Sequence, residues 1–366
     1  GGRGGGTERS DVRFFLATEI SLIYKKNGRV RKIHHLMVAP NLATAARINI
    51  ELEKRGNIRS DGRPILGLDS KILLQLLLDI SPDILLIPAH IWTPHFAILG
   101  SNSGFDTIEE CFEELTPHIV ALETGLSSDP AMNWRLSQLD RYAMVSSSDA
   151  HSPQKMGREA TILDIEPTYG ALLEALRKDR SKVVGTLEFF PEEGKYHADG
   201  LRSEGLCLLP DETVAHGYVS PKTGNKITVG VLHRVNKLAD RTVGYKPDME
   251  SEAAQAAVRE GRLGARPFWN IIPLMEIVAE MLDMTVASKK VEALYFSLLE
   301  ALGPEFYILR EAPLKEIAAV NERLAEAILR MREGRVSVKP GYDGEYGVIR
   351  VFDEEELKRR GQGVLF

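Results

Sequence analysis

Apolar runs alternate with amphipathic stretches along the first half of the chain. The runs at 13–20 and 83–87 predict buried strands, and the three- and four-residue spacing of apolar positions after Ser70 predicts a helix. The dipeptide Asn27-Gly28 separates two extended segments and predicts a tight hairpin. Strands that alternate with helices across short loops indicate an α/β protein with a mostly parallel sheet, and we favour a closed or nearly closed barrel.

Capping residues mark where several of these elements begin. Asn41 is placed to cap a helix that ends before Gly56, and Thr107 with Glu110 forms a capping box. The same patterns predict strands at 118–122, 142–146 and 182–189, and helices at 130–139 and 169–177. From about residue 267 the pattern becomes helical, with predicted helices at 274–281, 291–299 and 314–331.

Side chains that bind metal ions follow nearly every predicted strand of the first half. They are Glu19, His34, His35, His90, Glu123, Asp149 and His151. Because the carboxyl ends of barrel strands converge at one mouth, we expect these side chains to lie together. Asp149 and His151 are two residues apart and would point the same way in an extended segment. Any one of them could simply be a polar residue that ends a strand, but their recurrence favours a shared site.

The mixture of imidazole and carboxylate groups indicates the chemistry of such a site. These ligands suit zinc, manganese or iron. Several such ions close together lower the pKa of a water and neutralise a phosphate in the transition state. The sequence therefore predicts a metal-dependent phosphoester hydrolase.

Composition places the chain among globular proteins of about two domains. Its 366 residues are 43% hydrophobic and 27% charged, and no apolar run is long enough to cross a bilayer. The two cysteines, Cys111 and Cys207, cannot form a disulfide framework, which favours a cytoplasmic protein without a membrane partner. The net charge of −6 gives no overall attraction to nucleic acid, so DNA contacts would depend on local basic patches.

Several segments resemble the endonuclease Q family of the PHP (polymerase and histidinol phosphatase) superfamily. The matching metal-ligand motifs are Glu19, Ile33-His34-His35-Leu36, Pro88-Ala89-His90 and Ser148-Asp149-Ala150-His151. The longer matching segments are 58–64, 88–94, 123–130, 189–197 and 340–347. The resemblance extends from about residue 13 to residue 352, and the ordered set of motifs is far more specific than any one of them.

The resemblance implies a distorted (β/α)7 barrel that binds divalent zinc, manganese or magnesium and acts on DNA. The family cuts the strand on the 5′ side of uracil, hypoxanthine or an abasic site. The implied metal ligands are Glu19, His34, His90, Asp149 and His151, of which Asp149 and His151 are also the implied catalytic residues. His35 is the alternative to His34, because adjacent side chains of a strand point to opposite faces.

Three further residues are candidates for contact with the substrate. Trp92, just beyond His90, could stack on an extruded base, or it could belong to a hydrophobic lid on the barrel rim. Arg158 could bind a phosphate or occupy a surface position. Glu123 could orient a metal ligand or contact the substrate, and the sequence leaves these two roles open.

The chain departs from the family pattern in two places. The family begins with a His-x-His motif that this sequence does not contain, so the resemblance implies a barrel that is N-terminally truncated and lacks its first strands. The family also has two Cys-x-x-Cys pairs in a zinc ribbon, and the matching positions here are Glu204, Cys207, Ser220 and Thr223. One thiolate cannot hold structural zinc, so we expect none at Cys207.

These observations predict four regions. They are a flexible glycine-rich segment (1–12), an incomplete PHP metallohydrolase domain (13–190), a degenerate zinc-ribbon-like region (191–240) and a helical C-terminal DNA-binding region (241–366). The leading prediction is a DNA repair endonuclease whose partner is DNA with deaminated bases or abasic sites. A PHP-type small-molecule phosphatase and a catalytically impaired DNA-binding remnant stay open as alternatives, as does a sliding clamp or repair protein as a further partner.

Overall fold

The structure, a computed structural model, describes residues 12–60, 62–241, 265–353 and 356. These residues form a mixed α/β fold. The glycine-rich segment predicted at 1–12 lies outside them except for its last residue, and so does the part of the predicted C-terminal region at 242–264. None of the helices in the described ranges combines the length and the apolar character that crossing a membrane requires.

The first sheet has four strands in the order β3-β1-β2-β4. Strands β1 (Leu16–Lys26) and β2 (Arg29–Ala39) form the predicted hairpin across Asn27-Gly28, where both turn residues have positive φ, as a tight hairpin turn requires. Strand β3 (Ile65–Leu66) runs parallel to β1, and β4 (Leu85–Pro88) runs antiparallel to β2. The hairpin therefore brings the ends of β1 and β4 to either side of β2.

Two amphipathic helices pack on this sheet. Helix α1 (Leu42–Glu53) begins at Asn41, whose side chain accepts a hydrogen bond from the Thr44 amide as predicted. Helix α2 (Ser70–Ile80) is capped in the same way by Asp69. Their apolar faces join the strands in one core that contains Ile20, Leu22, Ile33, Ile48, Leu52, Leu73 and Leu77.

The second half of the predicted barrel forms two further sheets. Strands β5 (Ala121–Glu123) and β6 (Ala143–Val145) pair in parallel. Strand β8 (Val183–Glu188) pairs antiparallel with β7 (Ala160–Leu163) and parallel with β11 (Phe268–Asn270). Strand β4 lies against β5, and β6 lies against β8, so the three sheets follow one another in chain order.

The expectation of a mostly parallel sheet is wrong. The pairs β1–β2, β2–β4 and β7–β8 are antiparallel. A two-residue turn can join only antiparallel neighbours, which accounts for β1 and β2, and the sequence pattern did not predict β7. By their hydrogen bonds the described strands form separate sheets rather than one closed barrel, and β5 and β6 are only three residues long.

Short helical elements connect the strands. The α-helices are α3 (Ile108–Phe112), α4 (Pro130–Asn133), α5 (Tyr169–Arg177), α6 (Pro210–Ala215) and α7 (Val231–Leu238). The 3-10 turns are Glu113–His118, Ser137–Leu139, Pro153–Lys155, Arg180–Lys182, Pro191–Glu193 and Arg202–Glu204. The predicted helix at 130–139 is therefore interrupted after Asn133, and the predicted strand at 118–122 begins only at Ala121.

The C-terminal helices form a second core with the end of β8. They are α8 (Leu274–Leu282), α9 (Lys289–Leu302), α10 (Leu314–Val320) and α11 (Glu322–Arg332), with a π-helical turn at Tyr307–Glu311. A hairpin of β12 (Ser337–Lys339) and β13 (Val348–Arg350) follows. The single helix predicted at 314–331 is in fact two, because Asn321 has extended backbone and its side chain caps α11.

The region predicted to be a degenerate zinc ribbon is held together by hydrogen bonds. Strands β9 (Asp199–Leu201) and β10 (Leu206–Leu208) form its hairpin. The Glu204 carboxylate accepts hydrogen bonds from the hydroxyls of Ser220 and Thr223, which occupy two of the positions that match family cysteines. Cys207 is exposed on β10. One carboxylate thus joins two turns that are distant in sequence.

Replacing Glu204 with alanine should loosen this region without affecting the C-terminal core. The change removes both hydroxyl hydrogen bonds to the turn at 220–225. Hydrogen exchange of the amides at 200–228 is then expected to accelerate, while exchange in α8 and α11 stays as in the wild type. Glu204→Gln, which keeps one acceptor oxygen, is the matched control. Its exchange rates should fall between those of the wild type and those of the alanine variant. Unchanged exchange in the alanine variant would contradict a stabilising role for these bonds.

Candidate metal centre

Three potential ligands from different strands converge at one point. Glu19 lies on β1, His34 on β2, and His90 follows β4. The Nδ1 atom of His34 is 2.8 Å from Oε1 of Glu19 and 3.0 Å from Nε2 of His90, and the latter atom is 3.8 Å from Oε1 of Glu19. Within the residues that the structure describes, these three form the one group of acidic, histidine or cysteine residues with metal-binding spacing.

The geometry of this group fits a divalent ion. Two ligand atoms that each lie about 2.1 Å from one ion, at a tetrahedral or octahedral angle, are about 3.0–3.4 Å apart. The three observed separations, 2.8, 3.0 and 3.8 Å, bracket this range. One carboxylate and two imidazoles also form a donor set that zinc, manganese and iron accept. Small side-chain movements would suffice for all three to contact a single ion.

The structure separates the two adjacent histidines. His34 faces Glu19 and His90, whereas His35 lies on the opposite face of β2, where its Nε2 contacts the Ser70 hydroxyl at 2.8 Å. His35 has no exposed surface, and burial lowers its pKa to about 3. His35 is therefore a neutral core residue, and His34 is the one that belongs to the candidate centre.

Electrostatics favour the metal-binding forms of two of these ligands. Burial alone would raise the pKa of Glu19, but its hydrogen bonds with His34 and His90 hold that pKa well below the ordinary value. Burial lowers the pKa of His34. An ionised carboxylate and a neutral imidazole are the forms that bind a divalent cation. Burial opposes protonation of His90 as well, but Glu19 and Glu123 overcome this and raise its pKa.

The backbone of His90 is held in an unusual conformation by the next strand. His90 has a φ of 30°, which is rare for a residue with a side chain, and its amide donates to the Glu123 carboxylate at 2.8 Å. Gly125 packs directly on it, since a Cβ atom at this glycine would lie 2.4 Å from the Cβ of His90. The positive φ of Gly125, 66°, also favours glycine. Glu123 and Gly125 thus position a candidate ligand.

Two further contacts to the centre were not predicted from the sequence. The Arg63 guanidinium lies 3.0 Å from Oε1 of Glu19, the same oxygen that contacts His34, and so helps to hold the carboxylate. The Thr93 hydroxyl lies 3.2 Å from Nδ1 of His90 and can set which ring nitrogen carries the hydrogen. Arg63 falls in a segment that resembles the endonuclease Q family, which was the available signal for it, and Thr93 lies three residues after His90.

Two solved structures resemble this chain over most of its length. The lesion-specific endonuclease PfuEndoQ from Pyrococcus furiosus superposes with a TM-score of 0.76 at 27% identity, covering 93% of this chain and 81% of that one. Endonuclease Q in complex with a 27-mer duplex substrate that has an abasic lesion at the active site gives 0.76 and 28%, covering 93% and 80%. The predicted resemblance to endonuclease Q is confirmed.

Sequence comparisons agree with this endonuclease Q likeness. A PHP-associated family model matches residues 133–181, which supports the PHP superfamily, and a model of the MJ0043 C-terminal domain matches residues 273–335. The uncharacterized protein YqxK of Bacillus subtilis is 26% identical over 356 residues, covering 95% of this chain and 81% of that protein. The uncharacterized protein MJ0043 of Methanocaldococcus jannaschii is 27% identical over 254 residues, which are 67% of this chain and 30% of that protein.

Two residues expected at the centre of the endonuclease Q-like site are not brought into it. Asp149 and His151 follow β6, but the chain turns at Asp149, whose φ is 45°, instead of continuing as the expected extended segment. The His151 side chain is 74% exposed, and its Nδ1 contacts the Asp149 carbonyl oxygen at 2.8 Å. The Asp149 carboxylate still helps to raise the pKa of His90. Asp149 is outside the group of three, whose ligand atoms lie within 4.8 Å of one another.

The contacts of the candidate substrate residues are also clear in this endonuclease Q-like fold. Trp92 has no exposed surface, and its Nε1 donates to Asn133 at 2.8 Å, so it has no free face on which a base could stack. The stacking role is wrong for this conformation, because the ring packs in the core beneath the rim. Arg158 donates from Nη2 to the Ser148 carbonyl oxygen at 2.8 Å and so holds the loop that carries Asp149.

A pair of buried glutamates contacts Ser146, which follows β6 directly. The Ser146 hydroxyl is 3.0 Å from a carboxylate oxygen of Glu159 and 3.0 Å from one of Glu188. One hydroxyl hydrogen cannot be donated to two ionised groups, so one carboxyl must itself be protonated. Burial raises the pKa of both glutamates, and the charge of Glu159 raises that of Glu188 further.

This pair should make stability fall as the pH rises above the ordinary carboxyl range. Above the ordinary carboxyl range the folded state keeps a proton that the unfolded state has released. Each such proton therefore lowers the unfolding free energy by up to about 1.4 kcal/mol per pH unit. The wild type is expected to lose stability to urea from about pH 5 to about pH 8. Glu159→Gln should flatten that decline, because its amide has no titrating proton and can still accept from the Phe189 amide and donate to the Ser146 oxygen.

An exposed glutamate provides the control for this experiment. Glu166 lies on the surface, so Glu166→Gln should leave the pH dependence of unfolding as in the wild type. The shared proton would be disproved if Glu159→Gln and Glu166→Gln gave the same slope of unfolding free energy against pH.

Proposed function

We propose that this chain is a metal-dependent DNA repair endonuclease that hydrolyses the phosphodiester on the 5′ side of deaminated bases, such as uracil and hypoxanthine, or of abasic sites. The observation that carries the proposal is the convergence of Glu19, His34 and His90 within a fold like that of endonuclease Q. One of the similar structures holds a duplex with an abasic lesion at its active site, which supports abasic DNA as a substrate.

Glu19, His34 and His90 would hold the divalent ion, whether zinc, manganese or magnesium. Such an ion supplies Lewis-acid activation of water and neutralises charge on the phosphate. Arg63 fixes the carboxylate of Glu19, while Glu123 and Thr93 fix the backbone and ring of His90. The chain's own residues therefore provide a preorganised centre, which is what such chemistry requires.

Asp149 and His151 are proposed as the catalytic residues and as further ligands. Both lie on the loop after β6, which Arg158 holds through the Ser148 carbonyl oxygen. The exposure of His151 leaves its ring accessible to a DNA phosphate. Arg158 is proposed to contact that phosphate as well, and the C-terminal helices are proposed to hold the DNA on either side of the lesion.

The test is incision of an end-labelled duplex that contains one abasic site or one uracil, with manganese or magnesium. We expect a single product cut on the 5′ side of the lesion, and no product after EDTA treatment or with Asp149→Ala. Hydrolysis of a small phosphate monoester without DNA incision would favour the phosphatase alternative. Binding of the duplex without incision, under every metal tested, would favour the DNA-binding remnant.

A further inference from the structure

A cavity of about 450 Å³ lies outside the candidate metal centre, between the loop at 101–102 and the segment 218–237. Its charged lining residues are Lys226, Arg234 and Lys237, and no carboxylate lines it in the described part of the chain. This volume lies within the range of about 300–1,000 Å³ that is typical of ligand clefts. The cavity therefore has the size and charge of an anion-binding site.

The two lysines provide the charge that is available to a ligand. Arg234 is already bonded, since it donates to the carbonyl oxygens of Leu99 and Phe105 and pairs with Asp106 at 2.7 Å. Lys226 and Lys237 are exposed, and within the described residues neither forms an ion pair. Arg234 thus belongs to the cavity wall, and Lys226 and Lys237 supply its exposed positive charge.

Hydrogen bonds that run from buried Asp199 through His233 hold the Tyr218 hydroxyl at this cavity. Asp199 has no exposed surface, and its carboxylate accepts from the Gly230 amide and from Nδ1 of His233, each at 2.6 Å. The other ring nitrogen, Nε2, is 3.3 Å from the Tyr218 hydroxyl, which lines the cavity. Burying a carboxylate is costly unless it is paired, so the Asp199–His233 pair is a built feature that fixes Tyr218.

The cavity is joined to the candidate metal centre by one short loop. Asn102 lies in the cavity wall, and its side-chain Nδ2 is 3.2 Å from Nε2 of His95. The backbone amide of Asn102 donates to the Pro94 carbonyl oxygen. Thr93, at the start of this loop, touches His90 of the centre. The same loop therefore contributes to the candidate metal centre at one end and to the cavity wall at the other.

We propose that this cavity binds a backbone phosphate of the DNA strand beside the one that is cut. Lys226 and Lys237 would neutralise the phosphate, and the Tyr218 hydroxyl would turn its hydrogen from Nε2 of His233 to one of the phosphate oxygens. The proposal rests on the proposed function, because it takes DNA as the ligand. It assigns the cavity to positioning of the strand rather than to chemistry.

The test measures binding without cleavage. Fluorescence anisotropy of a labelled abasic duplex in EDTA, over a series of salt concentrations, gives the slope of log affinity against log salt. Loss of one neutralised phosphate reduces that slope by about 0.9, so Lys226→Gln/Lys237→Gln should reduce it by about this amount. Lys54→Gln/Lys178→Gln removes two exposed lysines that do not line the cavity, and should leave the slope as in the wild type.

Two further variants separate charge from folding. Lys226→Arg/Lys237→Arg should retain the wild-type slope, because it retains both charges. Tyr218→Phe should weaken binding without changing the slope, since it removes a neutral donor. A wild-type slope in the Lys226→Gln/Lys237→Gln variant would overturn the proposal, and so would an equal reduction in the Lys54→Gln/Lys178→Gln control.

Failure of the proposed function gives a different result. If the wild type binds the duplex with the expected lysine dependence but does not incise it with any divalent metal, the catalytic proposal fails and the cavity assignment stands. If the wild type incises the duplex and the lysine variants bind it normally, only the cavity assignment fails. Absence of any duplex binding by the wild type would overturn both.

Discussion

His34→Gln is expected to lower the rate of abasic-site incision on the order of 1,000-fold and to abolish tight binding of one manganese ion. The Nδ1 atom of His34 lies between Glu19 and His90, and loss of a ligand at that point removes several kcal/mol of transition-state stabilisation. Manganese binding is measured by a titration that monitors the electron paramagnetic resonance signal of the ion. This measurement does not depend on activity.

The neighbouring histidine provides a closely matched control. His35→Gln places the same side chain one position further along β2, where its amide can still reach the Ser70 hydroxyl. We expect this variant to bind manganese and to incise DNA within a few-fold of the wild type, with lower thermal stability because a buried aromatic ring is lost. Equal loss of metal in both variants would show that the centre is not built on the inner face of β2.

Trp92→Ala is expected to lower the free energy of unfolding by about 3–5 kcal/mol, because it empties a fully buried site. It also leaves the Asn133 side chain without the indole donor. Urea unfolding, followed by far-ultraviolet circular dichroism, measures this cost. Trp92→Phe fills most of the space and should cost less, mainly through the lost hydrogen bond.

A stacking role for Trp92 makes the opposite prediction. If the ring contacted an extruded base, Trp92→Ala would keep its stability and raise the KM for lesion-containing DNA. We expect instead that Trp92→Phe, once folded, has a KM close to that of the wild type. A large rise in KM at unchanged stability would contradict the buried placement of the ring.

Local chemistry explains why much of the fold could be predicted from the sequence. The Asn27-Gly28 turn and the Asn41 cap are set by residues within a few positions of each other, so they are readable without knowledge of the tertiary structure. Glu19 and His90 were found because potential ligands recur beside apolar runs along the chain. The antiparallel pairing of β7 and the break at Asn321 depend on distant partners and side-chain competition, which that pattern does not contain.

The ligands of the candidate site could be predicted from the sequence, but the residues that hold them in place could not. Glu19, His34 and His90 are residue types that commonly bind metal ions. The choice between His34 and His35 depends on which of them faces Glu19 and His90, and only the structure shows this. The spacing of Asp149 and His151 predicted an extended segment, whereas the backbone turns at Asp149. Arg63 acts across 44 positions of sequence, a separation over which no periodic pattern is informative.

The close packing of Gly125 on His90 bears on how this protein can change over time. A methyl group at Gly125 would collide with the backbone and Cβ of His90, so even the smallest side chain would displace a candidate ligand. A survey of random variants should therefore find this position among the least tolerant in the chain, although the residue has no functional group. Engineering of the centre for another metal would have to keep Gly125 while exchanging the ligands around it.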